Sequence, residues 1–298
     1  MVNYILRPLF NRPEMLALSI KYEIEARKYF NIDDLFTIFA VDFGAPKECI
    51  DIINKYPFRH IMLLRSVRHR PGANILEGLN TVAGLAKENG GYVINLEDDC
   101  VVHKTYFEYI HKATELLKNI KYSTITSWGL SPSGDPTKLN KGAFFCGPGT
   151  LINLDFFNKY IKPYSGQTYY SNYNNTINIV NERNKNNPDA KYSVAKGNAL
   201  GHVDWDGLTN RLIDTAIFEE DIYSYSSLCY RLLHIGFYGY NRGHGRGWPK
   251  HLNSFESRRD YLEERIFDPE KLAELDGYYN DYDVFDPRLD SWNGTLEL

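Results

Sequence analysis

The sequence predicts an α/β fold built on a mostly parallel sheet, and three observations carry that expectation. Strand-like and helix-like segments alternate through the first hundred residues, the pattern of a sheet covered on both faces. The strand segments are short and apolar, whereas the helical ones repeat their apolar residues at helical spacing. Polar residues capable of chemistry gather where the strands end, and in open parallel sheets ligands bind beyond the carboxyl ends of strands.

In order, VNYILR reads as a buried strand and RPEMLALSIKYEIEARKYF as a helix opened by Pro13, with Met15, Leu18, Tyr22, Ala26 and Tyr29 on one face. LFTIFAVD is a second strand ending at Asp42, and PKECIDIINKYP a short helix stopped by Pro57. HIMLLR is a third strand. ANILEGLNTVAGLAKENGG follows as a helix with Ile75, Leu79, Val82 and Ala86 inward and glycines after its end. YVINL is the fourth strand, KTYFEYIHKATELLKNI a helix with Phe107, Ile110, Ala113, Leu117 and Ile120 inward, and STITSWG and TLINL are further strands. Residues 165–199, rich in Asn, Tyr and Ser, read as a long loop or excursion, and the Tyr-rich part, 164–192, is a candidate lid or binding platform. The tail from about 256 carries a helix-like ESRRDYLEERIF. The expected organisation is one catalytic domain over 1–255, its halves 1–103 and 104–255, followed by a charged C-terminal extension, 256–298.

Length and composition bound the function. The chain has 298 residues, 43% of them hydrophobic and 24% charged, with a net charge of −4. That is ordinary soluble composition, with no global reason to expect a polyanion. Cys49, Cys100, Cys146 and Cys229 are scattered without zinc-type spacing, so free thiols in a reducing compartment are expected. No segment reads as a signal peptide or membrane span, which points to the cytoplasm.

The informative stretch is GGYVINLEDDC, where an apolar strand ends in Glu97, Asp98 and Asp99. Three adjacent carboxylates either face water or expect a cation. Clustered carboxylates suit Mg2+ or Mn2+, hard ions that take oxygen ligands and leave positions open for phosphate.

VINLEDDCVVHKTYFEYIHKATELL resembles the metal-binding segment of the N-acetylglucosaminyltransferase I family and related bacterial and viral glycosyltransferases of the GT-A fold. NRPEMLALSI, VDFGAPKECIDIINKYP, ITSWG and FFCGPGTLINLDFFNKY resemble further segments of that family in the same order, over roughly residues 2–250. The resemblance implies an inverting, metal-dependent glycosyltransferase using a nucleotide-sugar donor, with UDP as the expected nucleotide. It implies that Asp99 ligates the metal, that Glu97 and Asp98 hold the ribose or sugar, that Asp42 reads the base, and that arginines near the first loop, Arg7 and Arg12, meet the nucleotide.

Inverting transfer needs a general base to take the acceptor's proton. By resemblance, Trp205–Asp206 fits the Trp–Asp pair that opens the acceptor-side helix. Glu220–Asp221 fits the ED pair of the wider group. The IGF triplet at 235–237, followed by His244, favours Asp206 and leaves Asp221 second. His244 lies in NRGHGRGWPKH, where glycines and the cations Arg242, Arg246 and Lys250 suit phosphate. Metal ligation and phosphate contact both stay open for His244. The expected acceptor is a hydroxyl on a glycan or another cytosolic molecule. RHIMLLRSVRHRPG, read first as solvated charges beside the nucleotide, could instead face DNA with a hydroxylated base as acceptor. A nucleotidyltransferase lacks its glycine-rich N-terminal loop here, and a non-catalytic glycan-binding module has no use for the acid cluster.

Overall fold

The computed structural model describes residues 3–69, 71–86, 91–128, 134–142, 145–165, 173–187, 205–236, 247–268, 270–271 and 285–298. In chain order it runs β1 (Tyr4–Leu9), α1 (Pro13–Phe30), β2 (Phe36–Val41), α2 (Lys47–Asn54), β3 (His60–Leu64), α3 (Pro71–Ala86), β4 (Tyr92–Asn95), β5 (Cys100–Val102), α4 (Tyr106–Leu116), β6 (Tyr122–Thr126), β7 (Leu139–Lys141) and β8 (Thr150–Asn153). After two further helices, Tyr173–Arg183 and Trp205–Glu220, come β9 (Tyr223–Ser227), β10 (Leu232–His234) and the helix Phe255–Glu263.

The described residues form an eight-stranded sheet of order β3-β2-β1-β4-β8-β6-β9-β7 and a two-stranded ribbon of β10 and β5. The α/β architecture is the expected one. β3, β2, β1 and β4 pair in parallel, β8 runs antiparallel between β4 and β6, and β9 is parallel to β6. From β1 the chain moves outward to β2 and β3, then returns to the other side of β1 as β4. The gap between the ends of β1 and β4 is therefore the switch point at which such sheets bind ligands.

Side chains alternate across the sheet with the strand period of two. Tyr4, Leu6, Ile38 and Ala40 face one layer, made by α3 and the Trp205–Glu220 helix. Ile5 packs on the opposite face with α4, and Leu9, Phe39 and Val41 pack there with α1 and α2. α1 starts with Pro13 in its first turn and ends at Asn31, whose φ of 53° is the left-handed cap conformation. It is buried on more than the expected face. Leu16, Ile20, Glu23 and Arg27 are also buried, while Tyr29, expected inward, is exposed. The Asn-rich excursion holds an element the sequence did not announce, the Tyr173–Arg183 helix, whose Val180 joins the core.

The C-terminal stretch packs back on the rest. Leu262 and Ile266 share a cluster with Met15, Leu18 and Leu233. Arg231 is fully buried, its guanidinium 4.6 Å from the rings of both Tyr109 and Trp292. Leu139 N–H donates to the Glu297 carbonyl at 2.8 Å, extending the β7 edge. The four cysteines form no disulfide, and among the described residues no helix is long and apolar enough to cross a membrane.

His103 ties this return to the core. It bonds Thr105 Oγ1 at 2.9 Å, sits 3.6 Å from an Asp290 carboxylate oxygen, and packs against the Phe285 ring. Burial lowers its pKa from 6.5 to about 4, against a smaller pull upward from Asp290. The unfolded chain therefore takes up this proton first, and the stability present above pH 6.5 is lost as pH falls toward 4. At about 1.4 kcal/mol per unit, the expected loss is on the order of 2–3 kcal/mol. Urea midpoints measured between those pH values should fall in the wild type and stay flatter in His103→Asn.

Candidate functional site

The acidic turn follows β4 directly, at the switch point. Asp98 and Asp99 are buried, at 2% and 1% exposure, so the cluster is not a solvated surface. Burying two carboxylates demands a partner. The partner in this structure is Arg12, the residue before α1. Its guanidinium bridges the two, one terminal nitrogen to Asp98 Oδ1 and the other to Asp99 Oδ2. His234 supplies a second contact, its Nε2 2.9 Å from Asp99 Oδ2. Phe10 N–H donates to Asp98 at 3.4 Å.

Nonlocal pairing brings His234 there. β10 pairs with β5 so that His234 stands opposite Cys100, and Ile235 N–H donates to the Asp99 carbonyl at 2.8 Å. The next residue must be small: a Cβ on Gly236 would lie 2.5 Å from Asp99 Oδ2 and 3.3 Å from an Arg12 nitrogen. On the other side, Asn95 donates to the Gly147 carbonyl at 3.1 Å and to Glu97 at 3.3 Å.

The charges are unevenly held. Burial pushes Asp98 up, with Arg12 opposing and Asp99 adding to the rise. Burial would raise Asp99 as well, but Arg12 and His234 outweigh it and hold Asp99 below the usual carboxylate range. Burial would lower Arg12, yet Asp98 and Asp99 keep it above its ordinary value. Asp99 Oδ1 is buried and, among the described residues, accepts no hydrogen bond. An orphaned carboxylate oxygen beside a second carboxylate and an imidazole fits a hard divalent cation. In the present arrangement, however, no three His, Cys, Asp or Glu side chains among the described residues form a ready metal cage.

The predicted residues fall out as follows. Glu97, Asp98, Asp99 and Arg12 come together at the turn. Asp42, at the end of β2, accepts N–H bonds from Phe43 at 2.9 Å and His69 at 2.7 Å, fixing the loop after β3 beside the same sheet edge. Arg7 lies apart from the turn. β1 runs on two residues beyond it, and alternation turns Arg7 onto the α1 face, where it is fully buried with Glu23 and Ser19. Its contribution is support from below, because Ser19 Oγ donates onward to the Glu97 and Cys100 carbonyls.

Asp221 also lies apart from the turn. It is exposed, at φ 55°, just before β9. β9 pairs in parallel with β6, whose far end, Thr126, is level with Asn95 through β8. Asp221 thus sits at the amino edge of the sheet, three strands over from β4 and at the opposite edge from the acidic turn. The helix that ends beside it begins at Trp205. Its Asn210 makes a reciprocal pair with the Phe145 backbone, at 2.9 and 3.0 Å, next to the loop that Asn95 holds. The Asp206 end of this helix is therefore at the carboxyl edge. The side chain of Asp206, and His244 and Arg246 altogether, lie outside the described residues.

The basic run after residue 58 does not form one face. Arg59 precedes β3 and Arg65 follows it, at opposite ends of the strand. Arg65 and His69 both contact Glu77, at 3.3 and 3.0 Å, and Arg68 stacks on Phe10 at 4.5 Å.

No protein-family model matches the chain, and no characterised protein matches its sequence. Solved structures align with it at low identity. TarS of S. aureus aligns at a TM-score of 0.40 and 12% identity over 54% of this chain, which spans 30% of that protein. TarS 1–349 aligns at 0.43 and 10% identity, covering 74% of this chain and 73% of that one. The mannosyltransferase PcManGT from Pyrobaculum calidifontis, in complex with GDP-Man and Mn2+, aligns at 0.39 and 12%, covering 53% of this chain and 46% of that one. Scores this low carry no argument about what this chain binds.

Proposed function

We propose that this protein is a divalent-metal-dependent glycosyltransferase of GT-A type, moving a sugar from a nucleoside-diphosphate donor to an acceptor hydroxyl with inversion. The observation that carries the reading is the buried acidic turn at the switch point between β1 and β4, with its orphaned Asp99 oxygen. A solvated surface cluster would not be buried, and a glycan-binding module would have no reason to hold carboxylates out of water. It is also where the resemblance to the N-acetylglucosaminyltransferase I family expects the donor.

In this reading Asp99 and Asp98 hold Mn2+ or Mg2+, and His234, not foreseen from the sequence, stands ready beside Asp99. When bound, the cation offsets the charge of the donor diphosphate and of the departing nucleotide. Arg12 offers its fork to the diphosphate. Asp42 and the loop it fixes are the base side, with UDP the favoured nucleotide. Asp206, at a helix start on the same edge, is the general base toward the acceptor. The basic run does not converge, so nothing favours DNA over a glycan or another hydroxyl acceptor.

The test is thermal stabilisation by a panel of nucleoside diphosphates, with and without Mn2+. One nucleotide should raise Tm by several degrees only with metal, and Asp99→Asn should abolish that rise while remaining folded. A folded wild type that responds to none of them sinks the proposal.

A further inference from the structure

The cation that neutralises the acidic turn is part of the chain. Arg12 spans Asp98 and Asp99 with separate nitrogens, so one guanidinium takes one oxygen of each carboxylate and leaves Asp99 Oδ1 as the acceptor still open to a divalent cation. Its side chain is 27% exposed, whereas the two carboxylates are at 2% and 1%, so Arg12 stands on the solvent side of the acids. The arginine lies on the loop between β1 and α1, and the acids lie on the turn after β4, so the pair closes the switch point from both sides.

We propose that Arg12 is a built-in counter-ion, competing with divalent cations for the acidic turn until a nucleoside diphosphate draws the guanidinium away. The inference rests on the metal-dependent transferase reading and adds to it an order of binding. An arginine fork matches phosphate oxygens as well as carboxylates. A diphosphate arriving at the exposed side of Arg12 offers it an alternative partner. Asp98 and Asp99 then lose their cation, and two uncompensated buried carboxylates are costly. That cost is relieved when Mn2+ or Mg2+ takes the arginine's place. The exchange conserves ion pairs: one arginine–carboxylate clamp is replaced by arginine–phosphate and metal–carboxylate contacts. Nucleotide and metal must consequently strengthen each other's binding, by the same factor in either order.

The experiment is titration of Mn2+ alone, by electron paramagnetic resonance, into the full chain and into Arg12→Gln. The variant should bind Mn2+ at least about tenfold tighter than wild type, since a competing internal cation has been removed. Asp99→Asn in the Arg12→Gln background should erase the gain. Added UDP should tighten Mn2+ binding to wild type strongly and to the variant much less. Arg12→Lys serves if Arg12→Gln does not fold: one ammonium cannot bridge both carboxylates, so an intermediate gain is expected. Mn2+ affinity unchanged or weakened in the Arg12 variants, while wild type still binds UDP with Mn2+, overturns the counter-ion role alone. Failure of wild type to bind any nucleoside diphosphate with Mn2+ overturns the transferase reading, and the trigger with it.

Discussion

Glu23→Gln should lower stability by about 3–5 kcal/mol, read as a fall in the urea midpoint, because it strips the only carboxylate from a buried pair of arginines. Arg7, Glu23 and Arg27 are all fully buried. Glu23 accepts from Arg7 Nε at 2.8 Å and from the Tyr56 hydroxyl, and lies 3.5 Å from Arg27. Arg27 also donates to the Tyr56 hydroxyl at 3.0 Å and to the Ile32 and Leu35 carbonyls, at 3.2 and 3.1 Å, and its guanidinium stacks 3.6 Å from the Phe58 ring. Gln keeps the shape and removes the charge, so the loss isolates electrostatics from packing. Arg7→Met added to Glu23→Gln should recover part of it, since apolar replacement of a whole buried pair is often neutral. A change below about 1 kcal/mol would mean that water reaches this network. The same network underlies the site through Ser19, which holds the Glu97 and Cys100 carbonyls, so the geometry of the acidic turn depends on it.

Much of the fold was legible because the strands are short apolar blocks and the helices carry clear apolar stripes. TLINL was readable as a strand but not as the antiparallel member between β4 and β6, since direction follows from connections that local sequence does not encode. Cys100–Val102 was passed over because a three-residue strand has no period to detect, and its partner β10 lies 130 residues away in the chain. Arg7 misled because the strand appeared to stop there. Two more residues of β1 turn a presumed strand-end ligand into a mid-strand side chain pointing at α1.

The acidic turn was legible for the opposite reason: an apolar strand that ends in three carboxylates is a local conflict, and such conflicts mark sites. The cation it asks for was read as a metal, and Arg12 was not foreseen as a pairing partner of both acids. His234 was adjacent to a triplet already singled out, yet only the β10–β5 register brings it to Asp99. A histidine at the strand end preceding Ile235–Gly236 was the available signal, and it was overshadowed by His244 in a glycine-rich loop.

Asp206→Asn should slow transfer about 10^2- to 10^4-fold, the usual contribution of a general base, while leaving metal-dependent donor binding intact. Release of nucleoside diphosphate from UDP-sugars, with water as acceptor, provides the readout. The choice between the two candidate acids rests on direction. The Trp205–Glu220 helix has 16 residues, about 24 Å long, and spans the sheet from one edge to the other. Its end is fixed by Glu220, which bonds the Tyr160 hydroxyl at 2.8 Å and pairs with Lys121 at 3.4 Å, just before β6 begins. Its beginning is fixed by Asn210 on the Phe145 backbone. An acid at the beginning shares an edge with Asp99. An acid after the end does not share that edge. Asp221→Asn is a clean control, because asparagine tolerates the left-handed backbone at φ 55°. It should leave turnover within about twofold, as expected of a surface substitution remote from the site. Loss of turnover in Asp221→Asn with retention in Asp206→Asn would move the chemistry to the opposite edge of the sheet and remove the acidic turn from it.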